Sequence, residues 1–412
     1  MSPAGVTRLA VVVLAVMIAA TCVRAPDGES TARPPAQEPP VSPPPAADPV
    51  AIGERLAMAS RVLGEERELF VYLPESYESG RGRFPVLYVL DGESDFVHTV
   101  GVVEFLAGID RIPELIVVGV VNTARSRDLT PPSSNEEETA FWPEVGGADR
   151  FRRFFAEELV PFVDDRYRTQ PYRVVRGQSF GGLFAVHDYM ADEPVFHAVI
   201  ASSPAVGWNR DTLVRRVPTV FEASPAPTRP LYVASAGKDF PGNLASIVAF
   251  AGAVDAAGLN PDVWRHDRFE DAGHYTLHHL STYRGLEFVY SGWPVPDAVA
   301  ATADFDAYRR HFDALSERYG YEISVPMRSI TRMGNQLLRE SKFDQGIRVF
   351  EQATGLYPDL PEARWRLGEA HRLAGHRARA RKHLRIAYDM AVAQRLPDVA
   401  DYRASLDRIE AR

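Results

Sequence analysis

The sequence predicts an α/β fold, a mostly parallel sheet with helices on both faces, followed by a small all-α region. Three observations carry that reading. From about residue 51 to residue 295 short apolar runs alternate with helix-like stretches, the pattern of strand–helix units feeding a parallel sheet. After Pro296 the strand-like runs stop. Beyond that point small and apolar residues recur at an offset of 34 residues, the period of a tetratricopeptide hairpin.

The first 25 residues read as an export signal. Arg8 precedes an uninterrupted apolar run from Leu9 to Ala20, which is shorter than the roughly 20 residues needed to cross a bilayer. The single cysteine, Cys22, sits at the end of this segment. No disulfide, cysteine nucleophile or cysteine metal site is therefore expected downstream. Ala19-Ala20-Thr21-Cys22 loosely resembles a bacterial lipobox, with Thr21 in place of the small residue expected there. A membrane tether through Cys22 and an incidental cysteine in a discarded signal both stand. Residues 26–50 are dense in proline and poor in large apolar side chains, so they read as an extended linker.

The globular pattern opens with Ala51 to Leu73, where the alternation in Glu68-Leu-Phe-Val-Tyr-Leu73 suggests antiparallel edge strands. Buried-strand runs follow at Phe84–Leu90, Leu115–Val121, Tyr172–Val175, His197–Ser202, Pro230–Ala236 and Val263–Phe269. Helix-like stretches lie between and after them at Phe96–Leu106, Asp149–Tyr167, Gly181–Met190, Leu244–Ala257 and His278–Tyr290. In the tail, Met333–Tyr357 and Trp365–Met390 read as two hairpins. Gly334 matches Gly368, Ser341 matches Gly375, Gly346 matches Ala380, Phe350 matches Leu384 and Ala353 matches Ala387. Two repeats rarely stand alone, so a helix around Phe305–Tyr319 is expected to cap them. The expected organisation is a signal at 1–25, a linker at 26–50, a catalytic-type domain at 51–298, a helical connector at 299–328 and tetratricopeptide-like repeats at 329–412. An unrelated helical tail is the alternative for the last of these.

The chemistry centres on Gly177-Gln178-Ser179-Phe180-Gly181-Gly182. A nucleophile elbow needs a serine on a sharp strand-to-helix turn with small neighbours. Arg173–Arg176 supplies the strand and Leu183–Met190 the helix. Serine is unreactive at its own pKa and needs a base. In an α/β-hydrolase arrangement the acid and base follow the nucleophile in that order, each on a loop after a later strand. Asp239, just past Pro230–Ala236, and His274, just past Val263–Phe269, occupy those positions. His278 and His279 on the next helix read as ordinary surface or core histidines, and His266 as a strand residue. Glu270 and Asp271, on the loop of His274 itself, are poorer acids. Two oxyanion donors are expected, the backbone N–H of Phe180 and one from the loop carrying Gly92 and Glu93. The insert between Asn122 and Gly147, with Arg125, Arg127 and Trp142, reads as a cap over the pocket. Arg127 is a candidate substrate contact, with pairing to a structural carboxylate as its other reading. Trp208 is a candidate pocket wall or packing residue.

Leu87-Tyr-Val-Leu-Asp-Gly-Glu93, Val118-Gly-Val-Val-Asn122 with Arg127-Asp-Leu-Thr130, the elbow, and Asp271-Ala-Gly-His274 together resemble the putative esterase family. That family includes esterase D, enterochelin and bacillibactin esterases, feruloyl esterases and mycolyltransferases. The resemblance covers roughly residues 55 to 295. It implies an α/β-hydrolase fold and ester hydrolysis, with Ser179 and His274 matching the family's nucleophile and base. Some siderophore esterases of the family use a serine–histidine dyad, which leaves the role of Asp239 open. Tetratricopeptide tails recur among its members.

The expectation is thus an exported serine esterase without cofactor or metal, acting on a small-molecule ester, with a protein partner for the repeats. Acyl transfer at the same serine, and an inert scaffold that binds through its repeats, are the alternatives. The net charge of −9 supplies no basic field for nucleic acid.

Overall fold

A computed structural model of the chain describes residues 50–80, 82–142, 144–221 and 228–411. The export segment, Cys22 and all of the linker but Val50 lie outside the described residues. Eight strands form one sheet in the order β1-β2-β4-β3-β5-β6-β7-β8. β1 (Glu54–Ser60), β2 (Glu65–Tyr72) and β4 (Ile116–Val120) pair antiparallel. β3 (Phe84–Val89), β5 (Thr169–Gln178), β6 (Ala198–Ser202), β7 (Leu231–Lys238) and β8 (Trp264–Gly273) complete the parallel part. This is an α/β-hydrolase-like sheet with its edge hairpin where the alternating pattern placed it.

The central strands are apolar throughout because both faces are covered. Val86, Tyr88 and Leu90 enter one core, while Leu87 and Val89 enter the other, as the two-residue period of a strand requires. The stretch expected as one helix over Asp149–Tyr167 runs as Ala148–Phe154, a π-helical turn at Phe155–Leu159, and Val160–Arg166. Pro161 has no N–H to donate, and the wide turn lies directly before it. Helix Trp208–Phe221 had no clear sequence signal. It begins with Asn209, Arg210 and Asp211 at φ of 51°, 55° and 57°, and Pro218 lies inside it.

A C-terminal helical region follows: Phe305–Tyr319, Met327–Arg339, Phe343–Leu356, Pro361–Leu373, Arg377–Gln394 and Val399–Glu410. From Met327 onward each helix packs on the next. A Cβ on Gly334 would lie 2.3 Å from the Phe350 ring, and one on Gly368 2.8 Å from Leu384. The same close approach thus recurs at the 34-residue offset seen in the sequence. One face of the sheet and the helices through Leu367 share a single apolar core, joined through Tyr172, Tyr290, Trp293, Phe312 and Tyr319.

Candidate active site

Ser179 stands between the end of β5 and helix Phe180–Tyr189 at φ 56°, ψ −114°. Such a backbone is rare for a residue with a side chain and costs of order 1–3 kcal/mol. Three hydrogen bonds hold it: its N–H donates to the Ser202 carbonyl at 3.0 Å, and its carbonyl accepts from Leu183 at 2.9 Å and Ala205 at 3.1 Å. The glycines make the turn sterically feasible. A Cβ on Gly177 would sit 2.3 Å from the Gly181 carbonyl carbon, and one on Gly182 3.0 Å from Pro204.

The loops after β7 and β8 converge on this turn. Asp239 Oδ1 lies 2.7 Å from Nδ1 of His274, and both side chains are buried. Burial alone would raise the Asp239 carboxyl. The hydrogen bond from His274, the histidine charge and the Phe240 N–H outweigh it, and the pKa falls below 3.8. Asn243 donates to Oδ2 at 3.3 Å. Gln178 donates its side-chain amide to the His274 carbonyl at 3.1 Å, which fastens the histidine loop to the residue preceding Ser179. The rings of Phe240 and Tyr275 flank the imidazole at 4.9 and 5.1 Å. The other histidines and acids have different partners: His266 bonds Ser235 at 2.9 Å, Glu270 pairs with Arg268 and Asp271 with Lys238.

The loop after β3 completes the surroundings. Asp91 takes a left-handed conformation at φ 55° and starts helix Gly92–Gly108, so the N–H groups of Gly92 and Glu93 belong to a helix's first turn. A Cβ on Gly92 would lie 2.7 Å from the Gly119 carbonyl carbon, and one on Gly181 3.2 Å from Asp91 Oδ2. The first turns of the two helices are thus neighbours. Arg125 grips both Asp91 oxygens, at 2.6 and 2.9 Å, and reaches the Gln178 carbonyl at 3.3 Å. Asn122 joins Asp91 to Glu93 at 2.7 and 2.8 Å.

Phe180 is wedged between Trp142 and Trp208, with ring centroids at 5.3 and 5.4 Å, and Arg125 lies over its face at 5.5 Å. Trp208 donates to the Pro131 carbonyl at 2.8 Å, and the Asn209 N–H to Glu138 at 3.0 Å. Both bonds anchor the insert against helix Trp208–Phe221. The guanidinium of Arg127 is engaged by Glu65 at 2.7 Å and Asp128 at 2.7 Å, the pairing that was its other reading. Arg125, two residues earlier in the same insert, is the arginine at the elbow. The side-chain roles of Gln178, Asp91 and Asn122 were not foreseen, although all three lie within motifs already singled out.

The family model for putative esterases matches residues 60–279. The chain belongs to the putative esterase family. It is 29% identical over 178 residues to the ferri-bacillibactin esterase BesA of Bacillus subtilis, across 39% of this chain and 60% of the relative. It is 32% identical over 148 residues to the siderophore triacetylfusarinine C esterase of Aspergillus fumigatus, across 33% and 49%. The chain thus spans about half to three fifths of the length of these curated relatives. Among solved structures, an IroE-like serine hydrolase from Shewanella oneidensis matches at TM-score 0.61 and 26% identity, over 72% of this chain and 97% of that one. An uncharacterised protein from Capnocytophaga ochracea matches at TM-score 0.56 and 16% identity over 87% of this chain, a likeness of fold.

Proposed function

We propose that this chain is a serine carboxylic-ester hydrolase working through an acyl-enzyme. Ser179 Oγ attacks the ester carbonyl carbon as His274 takes its proton. The oxyanion rests on the N–H groups of Phe180 and of Gly92 or Glu93. Collapse breaks the ester C–O bond, and His274 returns the proton to the leaving alcohol. Water then attacks the acyl-enzyme by the same route and regenerates Ser179. Asp239 holds the imidazole and stabilises its charge. The observation that carries this reading is the buried 2.7 Å contact between Asp239 and His274, on a loop tied to the strained elbow by Gln178. It favours a triad over a dyad.

The substrate class in this reading is an exogenous ester with an aromatic or otherwise planar acyl part. What supports it is the edge-to-face Trp142–Phe180–Trp208 cluster beside the serine and the siderophore esterases among the relatives' names. The signal-like N-terminus supports export to the periplasm or beyond. The recurrent Gly334–Phe350 and Gly368–Leu384 packing supports tetratricopeptide-like repeats.

The test is the purified protein beside Ser179→Ala, with fluorophosphonate labelling and a panel of aryl, alkyl and siderophore esters. Labelling and turnover should both vanish in the variant. Undiminished labelling of Ser179→Ala would overturn the assignment. Ester products formed with an added alcohol in place of the free acid would shift it to acyl transfer.

A further inference from the structure

Behind the elbow, three side chains from two helices converge on a point that the proposed hydrolytic chemistry does not use. Asp95 and His98 stand on helix Gly92–Gly108, and His278 opens helix His278–Val289. A metal-ligating atom from each lies within 4.8 Å of the other two. Asp95 Oδ1 is 3.1 Å from His278 Nδ1 and 3.5 Å from His98 Nε2. A tetrahedral ion bonded at about 2.1 Å to each ligand spaces those ligands about 3.4 Å apart, a spacing that the two distances to Asp95 already match.

A second observation points the same way. Both ring nitrogens of His98 and Nε2 of His278 are buried atoms with no hydrogen-bond partner. Orphaned polar atoms are costly in a folded protein and call for a ligand. One of them, His98 Nε2, is the atom that faces the Asp95 carboxylate. We propose that Asp95, His98 and His278 form a binding site for a divalent transition-metal ion of the zinc class, which clamps the two helices together. Imidazole and carboxylate donors without thiolate suit zinc, nickel or cobalt. The exposed His279, whose ring centroid lies 5.8 Å from that of His98, stands near enough to supply a further ligand.

The surroundings set the affinity. Asp95 also accepts from Ser94 through Oδ1, at 3.1 Å, and pairs through Oδ2 with the buried Arg176. Arg176 fixes the carboxylate but adds a positive charge near the ion, so binding is weaker than at an all-anionic site.

The consequence is mechanical. Helix Gly92–Gly108 begins at the Gly92–Glu93 turn, and His278, which opens its helix, follows His274 by four residues, so an ion here braces both sides of the hydrolytic centre from outside it. The inference does not depend on which ester is cleaved.

The test is titration of chelator-treated full-length protein with Zn²⁺ by calorimetry and with Co²⁺ by visible absorption, with melting temperature as a second readout. One ion per chain should bind and raise the melting temperature. His98→Ala should weaken binding by at least about tenfold, and His278→Ala likewise. His98→Ala is the decisive variant, since the His98 ring has no hydrogen bond to lose, and circular dichroism checks that it folds. His383→Ala, on helix Arg377–Gln394 where its ring stacks on that of His371, should bind as the parent does. Absence of saturable binding, or binding unchanged in folded His98→Ala, would overturn the proposal.

Discussion

Gln178 donates its side-chain amide to the backbone carbonyl of His274 at 3.1 Å, so the residue before the proposed nucleophile holds the loop of the proposed base. Gln178 ends β5 and His274 follows β8, strands separated by β6 and β7.

Gln178→Met keeps the side chain's length and removes the amide. The His274 carbonyl then loses its buried donor, a cost of about 1–3 kcal/mol. We expect a lower melting temperature and a fall in kcat between about tenfold and a hundredfold, since small displacements of a base are costly. Steady-state kinetics with circular dichroism would check it. An unchanged kcat would mean that the loop holds itself.

The elbow glycines should differ in tolerance. A Cβ at position 177 meets backbone at 2.3 Å, and backbone cannot turn aside, whereas at position 182 the nearest atom of Pro204 is at 3.0 Å. Gly177→Ala should cost about 3 kcal/mol, at the upper end for overpacking, and abolish activity. Gly182→Ala should cost less and retain some activity. Urea unfolding of both variants gives the order directly.

Asp239→Asn should lower kcat at least 10²-fold, about 3 kcal/mol of transition-state stabilisation, because the amide favours the wrong imidazole tautomer. A change below threefold beside an inactive His274→Ala would indicate a dyad. The carboxyl also predicts a pH effect. Its folded pKa lies below the ordinary 3.8, so the stability it contributes is fully present above that value. That stability is lost as pH falls from 3.8 through the lower folded value. The melting temperatures of parent and variant should therefore converge on acidification. A gap that stayed constant down to strongly acid pH would count against the ion pair.

Much of this was legible in the chain. The period-two and continuous apolar runs fixed the strands because burial on one or two faces dictates them, and the spacing of Ser179, Asp239 and His274 reflects strand order alone. What escaped was set by tertiary contact. Arg125 and Arg127 are two residues apart in one insert, and nothing local says which meets Asp91 and which meets Glu65. Helix Trp208–Phe221 starts in left-handed backbone held by Glu138 from a distant segment. His98 and His278 are 180 residues apart, and each alone reads as an ordinary histidine.

All proposed catalytic residues precede residue 298, so the sequence alone suggests that a fragment ending there would act by itself. The shared core argues otherwise. Tyr319 of the helical region packs on Tyr172 at 5.0 Å and Tyr290 at 5.6 Å, and Phe312 on Trp293 at 5.6 Å. Tyr172 lies on β5, the strand that ends at the elbow. Truncation would uncover one side of Tyr172, Tyr290 and Trp293, all now buried. Burying one such side chain contributes about 1.5–3 kcal/mol, and a whole domain has only about 5–15 kcal/mol in hand. A fragment ending at 298 should therefore be insoluble, or melt more than about 10 °C below the full chain. The full chain should unfold in one transition by calorimetry. Tyr319→Ala should remove about 3–5 kcal/mol, as large aromatic deletions do, yet leave esterase kcat near the parent's at low temperature. A soluble fragment with an unshifted melting temperature would show that the helices merely rest on the sheet, because a contact that contributes to the core cannot be removed without cost.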